Sequence, residues 1–485
     1  MKICFACDLH LPFDKNAMQY DVLEWALGVI KKTAPDCICF VGDATCDGDI
    51  DNYNLFIKKM QSLNIPFIYI PGNSDLRNPA FKEKIINLTS PVMSVIHDTV
   101  IIAINDSDRT VSDDTKLILN GINSNAVVFM HHPIVELQKN SRIKLLEWRK
   151  SHPDIPLFYG HLHKSQIDGN DYSLGALDPD KSIGETPCLT FFDANTKSID
   201  KEYYPAPMPS DFLDFLGISV FRLKEDFEFA ISNEIKHLEF RPSLIDFDQD
   251  ELINLVEKWR ASGGKNLSVH LPDIEFKNGQ VIPNKHLDHI LELSKAIKAN
   301  RFTQHVPVVS VSTVKNSPSI LDQISSFLSE KLKDFSHNTV LGVENMHMTD
   351  GEIPDETRRF GYTPEECLFF MNKLKKVCPF TVGINFDIGH ARNNSPYSQK
   401  YQISTWLSQL GRYAVGYHIH QVTLTDQGFS NHEPITEVYG HLISYASFFA
   451  SWSKRQLAKA PLIMEMRPKN AYKTSLDAFN SARNK

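Results

Sequence analysis

The 485 residues include 51 Lys+Arg against 59 Asp+Glu, a formal net charge of −8, with 42% hydrophobic and 23% charged residues. That balance gives ample material for packed cores and argues against broad attraction to nucleic acid or anionic membrane. No run approaches the roughly 20 apolar residues of a membrane helix, and MKICFACDLHLPF lacks the ordered regions of a secretory leader. The eight cysteines are scattered, several of them in apolar runs. Cys4 and Cys7 form a CxxC without a second pair at zinc-site spacing, so the expectation is free thiols in a reducing cytoplasm.

In chain order, MKICFAC predicts a strand, MQYDVLEWALGVIKK a helix, CICFVGD a strand, YNLFIKKMQSL a helix and IPFIYIPGN a strand. TVIIAIND, AVVFMHH, LFYGHLH and CLTFFDA continue the strand series. Polar residues gather just beyond these strands, where open α/β sheets bind ligands. They are Asp8 and His10, Asp43, Asn73, His131, then His161 and His163. Two histidines one residue apart, as in FYGHLHKS, are expected on one side of an extended segment. Seven oxygen and imidazole groups at five strand ends suit two divalent metals sharing one carboxylate. First-row ions such as Mn, Fe or Zn accept such mixed ligands.

A Pro-rich stretch, YYPAPMPSD at 203–211, predicts a linker, which divides the chain into residues 1–205 and 206–485. Beyond it GISVFRL, IKHLEFR, NLSVHLP, VPVVSVST, TVLGVEN, TVGINFDIGH, AVGYHIH and APLIMEMRP read as eight strands with helical patterns between them. That alternation predicts a (β/α)8 barrel. Glu344, Asp387, His390, His418 and Glu465 stand at strand ends, and His270, His420 and His432 are expected around the same mouth. Carboxylates capping apolar strands are costly unless paired or metal-bound. His305, His337, His347 and His441 are expected to be surface or structural.

The ordered motifs DxH, GD, GN, HxP and GHxH resemble the signature of the calcineurin-like metallophosphoesterases, over about residues 1–200. The resemblance implies an α/β sandwich in which Asp8, His10 and His163 hold one metal and Asn73, His131 and His161 the other, with Asp43 bridging. Asp43, Asn73 and His131 are then the expected catalytic residues of this half, and His132 is expected to line the substrate side. The family's GNH motif is GNS here. Ser74 replaces a histidine that protonates the leaving oxygen, and losing such an acid costs about 10²–10⁴-fold. Phosphodiesters are accordingly expected over phosphomonoesters, with Ser74 on the substrate side and Arg77 and Lys164 either phosphate contacts or, as the leading expectation, solvated surface residues.

GVEN, FDxGH, GYHIH…NHEPI and IMEMRP resemble the xylose-isomerase-like TIM barrels over about residues 212–475, a superfamily of sugar isomerases, epimerases and apurinic endonucleases. By position Glu344, Asp387, His418 and Glu465 correspond to the single-metal quartet of the epimerases, which takes Mn, Zn or Mg. Glu344, Glu465 and His390 are the expected catalytic residues, and His270 and His432 are counted as further metal ligands. A serine at 310 or 312, Ser430 and Gln421 stand where the endonucleases carry ligands, so one metal is expected in the barrel and not three. The expectation is an α/β chain, sandwich then TIM barrel, acting as a bifunctional phosphoester hydrolase. Its substrate would be a phosphorylated small molecule or a phosphodiester, with no membrane partner. A nuclease that processes nucleic acid is the second reading, and a phosphoesterase with a non-catalytic barrel the third.

Overall fold

The computed structural model describes every residue except 88, 91, 123, 124, 336, 337, 427, 441, 484 and 485, so His337 and His441 lie outside the described residues. The chain forms two compact units, Met1–Ala206 with Val438–Ala450, and Pro207–Glu437 with Ser451–Lys485. The first unit therefore takes in a segment that lies far along the sequence. Among the described residues no helix is long and apolar enough to cross a membrane. All eight cysteines are free thiols.

Two sheets build the first unit. One has the order Ser198–Tyr203, Cys188–Asp193, Lys2–Ala6, Cys37–Val41 and Phe67–Ile70. The other has the order Met93–Ile96, Thr99–Ile104, Ala126–Met130, Leu157–Tyr159, Asp171–Ser173 and Gln166–Asp168. Strand alternation explains the layering, because successive side chains point to opposite faces. Ile3, Phe5, Cys37, Cys39 and Val41 pack between the sheets against Ile101, Val127, Phe129 and Phe158. Cys4, Ala6, Ile38 and Phe40 face outward against Met18 and Val22 of helix Met18–Thr33 and Phe56 of helix Ile50–Gln61. Leu145 and Trp148 of helix Lys139–Ser151 cover the far face of the second sheet. Both faces of the central strands are buried, which is why they read as unbroken apolar runs.

The second unit is a closed barrel of eight parallel strands: Leu216–Val220, His237–Phe240, Asn266–His270, Arg301–His305, Val340–Glu344, Thr381–Asp387, Ala414–Ile419 and Leu462–Met464. Seven of them fall where the apolar runs place them. The fourth does not. VPVVSVST is not a strand, although Val306, Val309 and Val311 are buried; the strand is RFTQH just before it. Its side chains Thr303 and Gln304 are polar and buried, so periodicity of apolar residues could not reveal it. A hairpin of Gln421–Thr425 and Gly428–Glu433 follows the seventh strand and carries His432.

His237 opens the second barrel strand, is 5% exposed, and accepts a hydrogen bond on Nδ1 from Asn266 Nδ2 at 2.9 Å. Burial, helped by Arg301, lowers its pKa from 6.5 to about 4. The folded chain binds this proton less tightly than the unfolded chain, so the stabilisation is complete above pH 6.5 and is lost as pH falls toward 4. The Tm difference between wild type and His237→Gln should shrink steadily across that interval in a thermal melt series.

Candidate functional site

In the first unit, Lys2–Ala6, Cys37–Val41 and Phe67–Ile70 run parallel in one sheet, and Ala126–Met130 and Leu157–Tyr159 run parallel in the other. The expected ligands follow all five. Three sets of ligand atoms converge, each within 4.8 Å of one another: Asp8, His10 and His163; His131, His132 and His161; and Asp8, Asp43 and His131. Asp43 Oδ2 lies 3.7 Å from His10 Nε2 and 3.5 Å from His131 Nε2, so it reaches both sides. Asn73 Oδ1 is 3.2 Å from His131 Nε2. His161 and His163 are not on a regular extended segment: both have left-handed backbones (φ 66° and 57°), and they fall in different sets, one histidine to each.

These side chains fit a pair of divalent cations. Asp8 Oδ1, His10 Nδ1 and His132 Nε2 are buried without a hydrogen-bond partner, a state few native polar atoms tolerate. Burial alone would raise the pKa of both carboxyls. Instead His163 holds Asp8 well below its ordinary value, and His131 does the same for Asp43. Burial opposes protonation of His131 as well, yet Asp43 pushes its pKa up to about 10. His161 falls to about 4, chiefly through burial, with His131 and His132 adding repulsion.

The backbone is strained where these groups sit. Asp8, His10, Asp43, His161 and His163 all have φ between 49° and 66°. Such a conformation costs a residue with a side chain roughly 1–2 kcal/mol. Hydrogen bonds offset it. Asp8 N donates to Gly42 O, Leu9 N and His10 N to Asp43 O, and Leu11 N to Ala44 O, all at 2.9–3.0 Å. Buried Asp75 accepts from Ala44 N, Thr45 N, Gly72 N and Tyr69 Oη, tying the 42–45 and 72–75 turns together. Asp106 accepts from His131 N and His132 N at 2.7 and 2.8 Å. The 177–184 loop braces the other side: Asp178 N donates to Asp8 O and Ile183 N to His163 O. That loop is itself held by the late segment, through Gly184 N to Tyr439 O and Ser444 N to Asp180 O.

In the barrel, Glu344, Asp387 and His418 end or nearly end the fifth, sixth and seventh strands, and Glu465 follows the eighth. Their ligand atoms lie within 4.8 Å of one another. His418 Nδ1 faces Glu465 Oε2 at 2.8 Å, Glu344 Oε1 at 3.2 Å and Asp387 Oδ2 at 3.7 Å, while its Nε2 meets Glu239 Oε1 at 3.0 Å. A second set joins His270, His305 and Glu344. Here Glu344 Oε2 is 3.0 Å from His270 Nε2 and 3.7 Å from His305 Nε2. The outer nitrogens of these rings are occupied: His270 Nδ1 lies 3.0 Å from Leu271 O, and His305 Nδ1 lies 2.8 Å from Asp273 Oδ1. An Nδ1–H held this way leaves the Nε2 lone pair for a cation. Glu344 thus turns one oxygen to each set. Glu344 Oε1 and His418 Nδ1 are buried without a hydrogen-bond partner, so these residues too fit bound cations. Arg241 clamps Glu465 from behind, Nη1 to Oε1 and Nη2 to Oε2, both at 2.8 Å.

A family model described as calcineurin-like phosphoesterase matches residues 1–181. A protein of Xenorhabdus bovienii (strain SS-2004), named a probable cyclic nucleotide phosphodiesterase, is 30% identical over 203 residues, which are 34% of this chain and 80% of that protein. The chain belongs to the calcineurin-like phosphoesterase family. For the barrel, a D-tagatose 3-epimerase-like protein is 20% identical with a TM-score of 0.38, covering 56% of this chain and 98% of that one. Endonuclease IV from Thermus thermophilus is 13% identical with a TM-score of 0.36, again covering 56% and 98%. Likenesses this distant assign neither site nor activity to the barrel.

Several residues of the phosphoesterase stand elsewhere than expected. Ser74 is fully buried, and its N and Oγ donate to the two Asp43 oxygens at 2.7 and 2.9 Å. The Arg77 guanidinium donates to Cys46 O at 2.8 Å, and Lys164 is exposed. His132 is fully buried against Asp106. In the barrel Ser310 caps the helix Val311–Asn316, and the histidine at the fourth strand end is His305, which the sequence placed on the surface. Ser430 Oγ donates to Glu433. His390 Nδ1 lies 3.5 Å from Glu344 Oε1 and 3.6 Å from Asp387 Oδ2, and His432 Nδ1 lies 3.3 Å from Glu465 Oε1, so both border the quartet. His420 Nε2 is 3.1 Å from Asp387 Oδ1. Glu136, which the sequence did not single out, places Oε2 3.1 Å from His161 Nε2.

Two variants test this architecture. A Cβ at Gly72 would lie 2.1 Å from Asp43 Oδ1 and 2.6 Å from Asp43 N, so Gly72→Ala must displace the Asp43 turn. The expected outcome is about 1–3 kcal/mol lost in a denaturant melt, typical of overpacking, together with reduced metal content. Arg241→Met removes the guanidinium from buried Glu465. In metal-free protein it should cost about 3–5 kcal/mol, as breaking a buried pair does. The cost should be smaller in metal-loaded protein, where bound cations offset the same charge, and paired melts with and without metal measure the difference.

Proposed function

We propose that the first half hydrolyses phosphodiesters at a dinuclear site. Asp8, His10 and His163 hold one position, Asn73, His131 and His161 the other, and Asp43 spans them. The observation that carries this is Asp43 Oδ2 standing between His10 and His131 while Ser74 is spent on the same carboxylate. A pair of Mn, Fe or Zn ions held by these residues would supply Lewis-acid chemistry, neutralising phosphoryl charge and lowering the pKa of a bound water. Asn73, His161 and His163 are half-buried and mark the open side, where a phosphoryl group would enter. Ser74 supplies no proton to a leaving oxygen near neutral pH. The Xenorhabdus relative is named a probable cyclic nucleotide phosphodiesterase, the same reaction class.

For the barrel the proposal is a second metal centre with two positions sharing Glu344, in place of the single position expected. The leading reading remains a small, sugar-like phosphorylated substrate or product, with Glu344 and Glu465 beside the metal as proton-handling groups. The nuclease reading gains one observation, the His270–His305–Glu344 set, since a carboxylate common to two cations suits phosphoester hydrolysis.

The test is hydrolysis in Mn²⁺ of bis(p-nitrophenyl) phosphate and an alkyl phosphomonoester, beside end-labelled DNA, RNA and abasic duplex. Diester turnover should exceed monoester turnover and fall at least about 100-fold in Asp43→Asn, the scale of losing a key catalytic group. Labelled nucleic acid should stay intact. Faster monoester turnover would defeat the diesterase reading, and nucleic-acid cleavage lost in Asp43→Asn or Glu344→Gln would establish the nuclease.

A further inference from the structure

We infer that His132 is itself a metal-holding residue, its Nε2 supplying a third imidazole nitrogen, beside His131 and His161, to the second position of the phosphoesterase site. The inference rests on the dinuclear reading above and changes the composition of one of its two positions.

Three independent features support it. First, His132 is fully buried and its Nε2 has no hydrogen-bond partner, although its other nitrogen is well provided for. Nδ1 lies 3.1 Å from both the backbone oxygen and Oδ2 of Asp106, and the His132 amide donates to that same Oδ2 at 2.8 Å. An imidazole whose Nδ1–H is tied to a carboxylate presents a lone pair at Nε2, the arrangement found behind metal-ligating histidines. Second, that lone pair has a destination. The ligand atoms of His131, His132 and His161 lie within 4.8 Å of one another, and the His132 ring centroid is 4.4 Å from that of His161 and 4.8 Å from that of His131. Third, the neighbouring His131 ring is fixed toward the same point: its Nδ1 is held 2.9 Å from Val41 O, which directs its Nε2 inward. The His161 Nε2 meets the Glu136 carboxylate at 3.1 Å, so an anion already stands beside the place where a cation would lie. A role against substrate would call for an exposed edge, which His132 lacks.

The two positions would then differ in chemistry. With Asp43 shared, Asp8, His10 and His163 give equal oxygen and nitrogen, whereas His131, His132 and His161 with Asn73 give a set richer in nitrogen, which favours Zn or Fe over Mg or Ca.

Full-length metal-free protein titrated with Zn²⁺ against a chromophoric chelator tests this, with bound zinc per chain and affinity as readouts. His131→Ala, His132→Ala, the volume-filling His132→Gln and Asp106→Asn are compared with wild type, each checked by thermal melt. The expected result is that both His132 variants lose one zinc per chain or bind it at least about 10-fold more weakly, as His131→Ala does, and that Asp106→Asn weakens the same zinc by about 10–100-fold. Wild-type zinc content and affinity in His132→Gln, with a zinc lost in His131→Ala, would overturn the inference and leave the dinuclear reading standing. Full zinc content in His131→Ala would defeat the dinuclear reading itself, and the inference with it.

Discussion

Too much negative charge is buried in too little space, and the structure is organised around that constraint. Asp8, Asp43, Glu239, Glu344, Asp387 and Glu465 are each 0–2% exposed. An ionised carboxylate taken out of water is tolerated only with a partner. Some partners are proteinaceous, such as Arg241 on Glu465 and His131 on Asp43, but they leave inward-facing oxygens and nitrogens unsatisfied. Left-handed ligand residues, the Asp75 and Asp106 anchors and the Asp273–His305 contact all hold those unsatisfied atoms in register. Such an arrangement stores repulsion in the absence of cations, which makes metal binding and folding stability one linked quantity.

Two scaffolds reach the same solution by different geometry. In the phosphoesterase half, parallel strands of two facing sheets end at one edge, and short turns throw their terminal side chains across the gap. In the barrel, strands arranged in a ring bring their ends to one mouth, and Glu344 can address two neighbours because the strands on either side converge. In both units the candidate ligands stand at or just past strand ends, and most of those strands are apolar. The strand body secures the position and its end supplies the chemistry.

That separation explains what could be read from the sequence. Five apolar runs with polar ends pointed to the residues that the structure brings together in the first unit, and the family resemblance added the place of Asp43 between the two sets. The barrel quartet was equally legible, because Glu344, Asp387, His418 and Glu465 follow runs such as VLGV and APLIM. What escaped notice lay in strands with polar interiors. His305 ends RFTQH, a strand whose Thr303 serves the barrel interior by donating to Glu239 at 2.6 Å, so no apolar period announced it. Glu239 and Arg241 sit inside or just past HLEF and belong to none of the motifs singled out in the sequence. Asp106 and Asp75 were visible as letters, but their work is to accept backbone hydrogens, which depends on folded loops and on no motif. The late segment 438–450 carried no sign of its destination, since its contacts, backbone bonds of Tyr439 and Ser444 together with Tyr439 Oη on Ala206 O and Ser444 Oγ beside Ser182 Oγ, form no motif.

That segment has a consequence for how the chain comes into being. Residues 1–206 leave the ribosome first and contain every strand of their unit, yet the stretch that braces the 177–184 loop is synthesised more than 200 residues later. At about 5–20 residues per second, the early half waits roughly ten seconds or longer for its last piece. Through that interval the ligand turns are present without their outer support. The same layout means that no single cut at the proline-rich linker separates two whole halves: exchange of the first half between genes would have to carry a short passage from within the second.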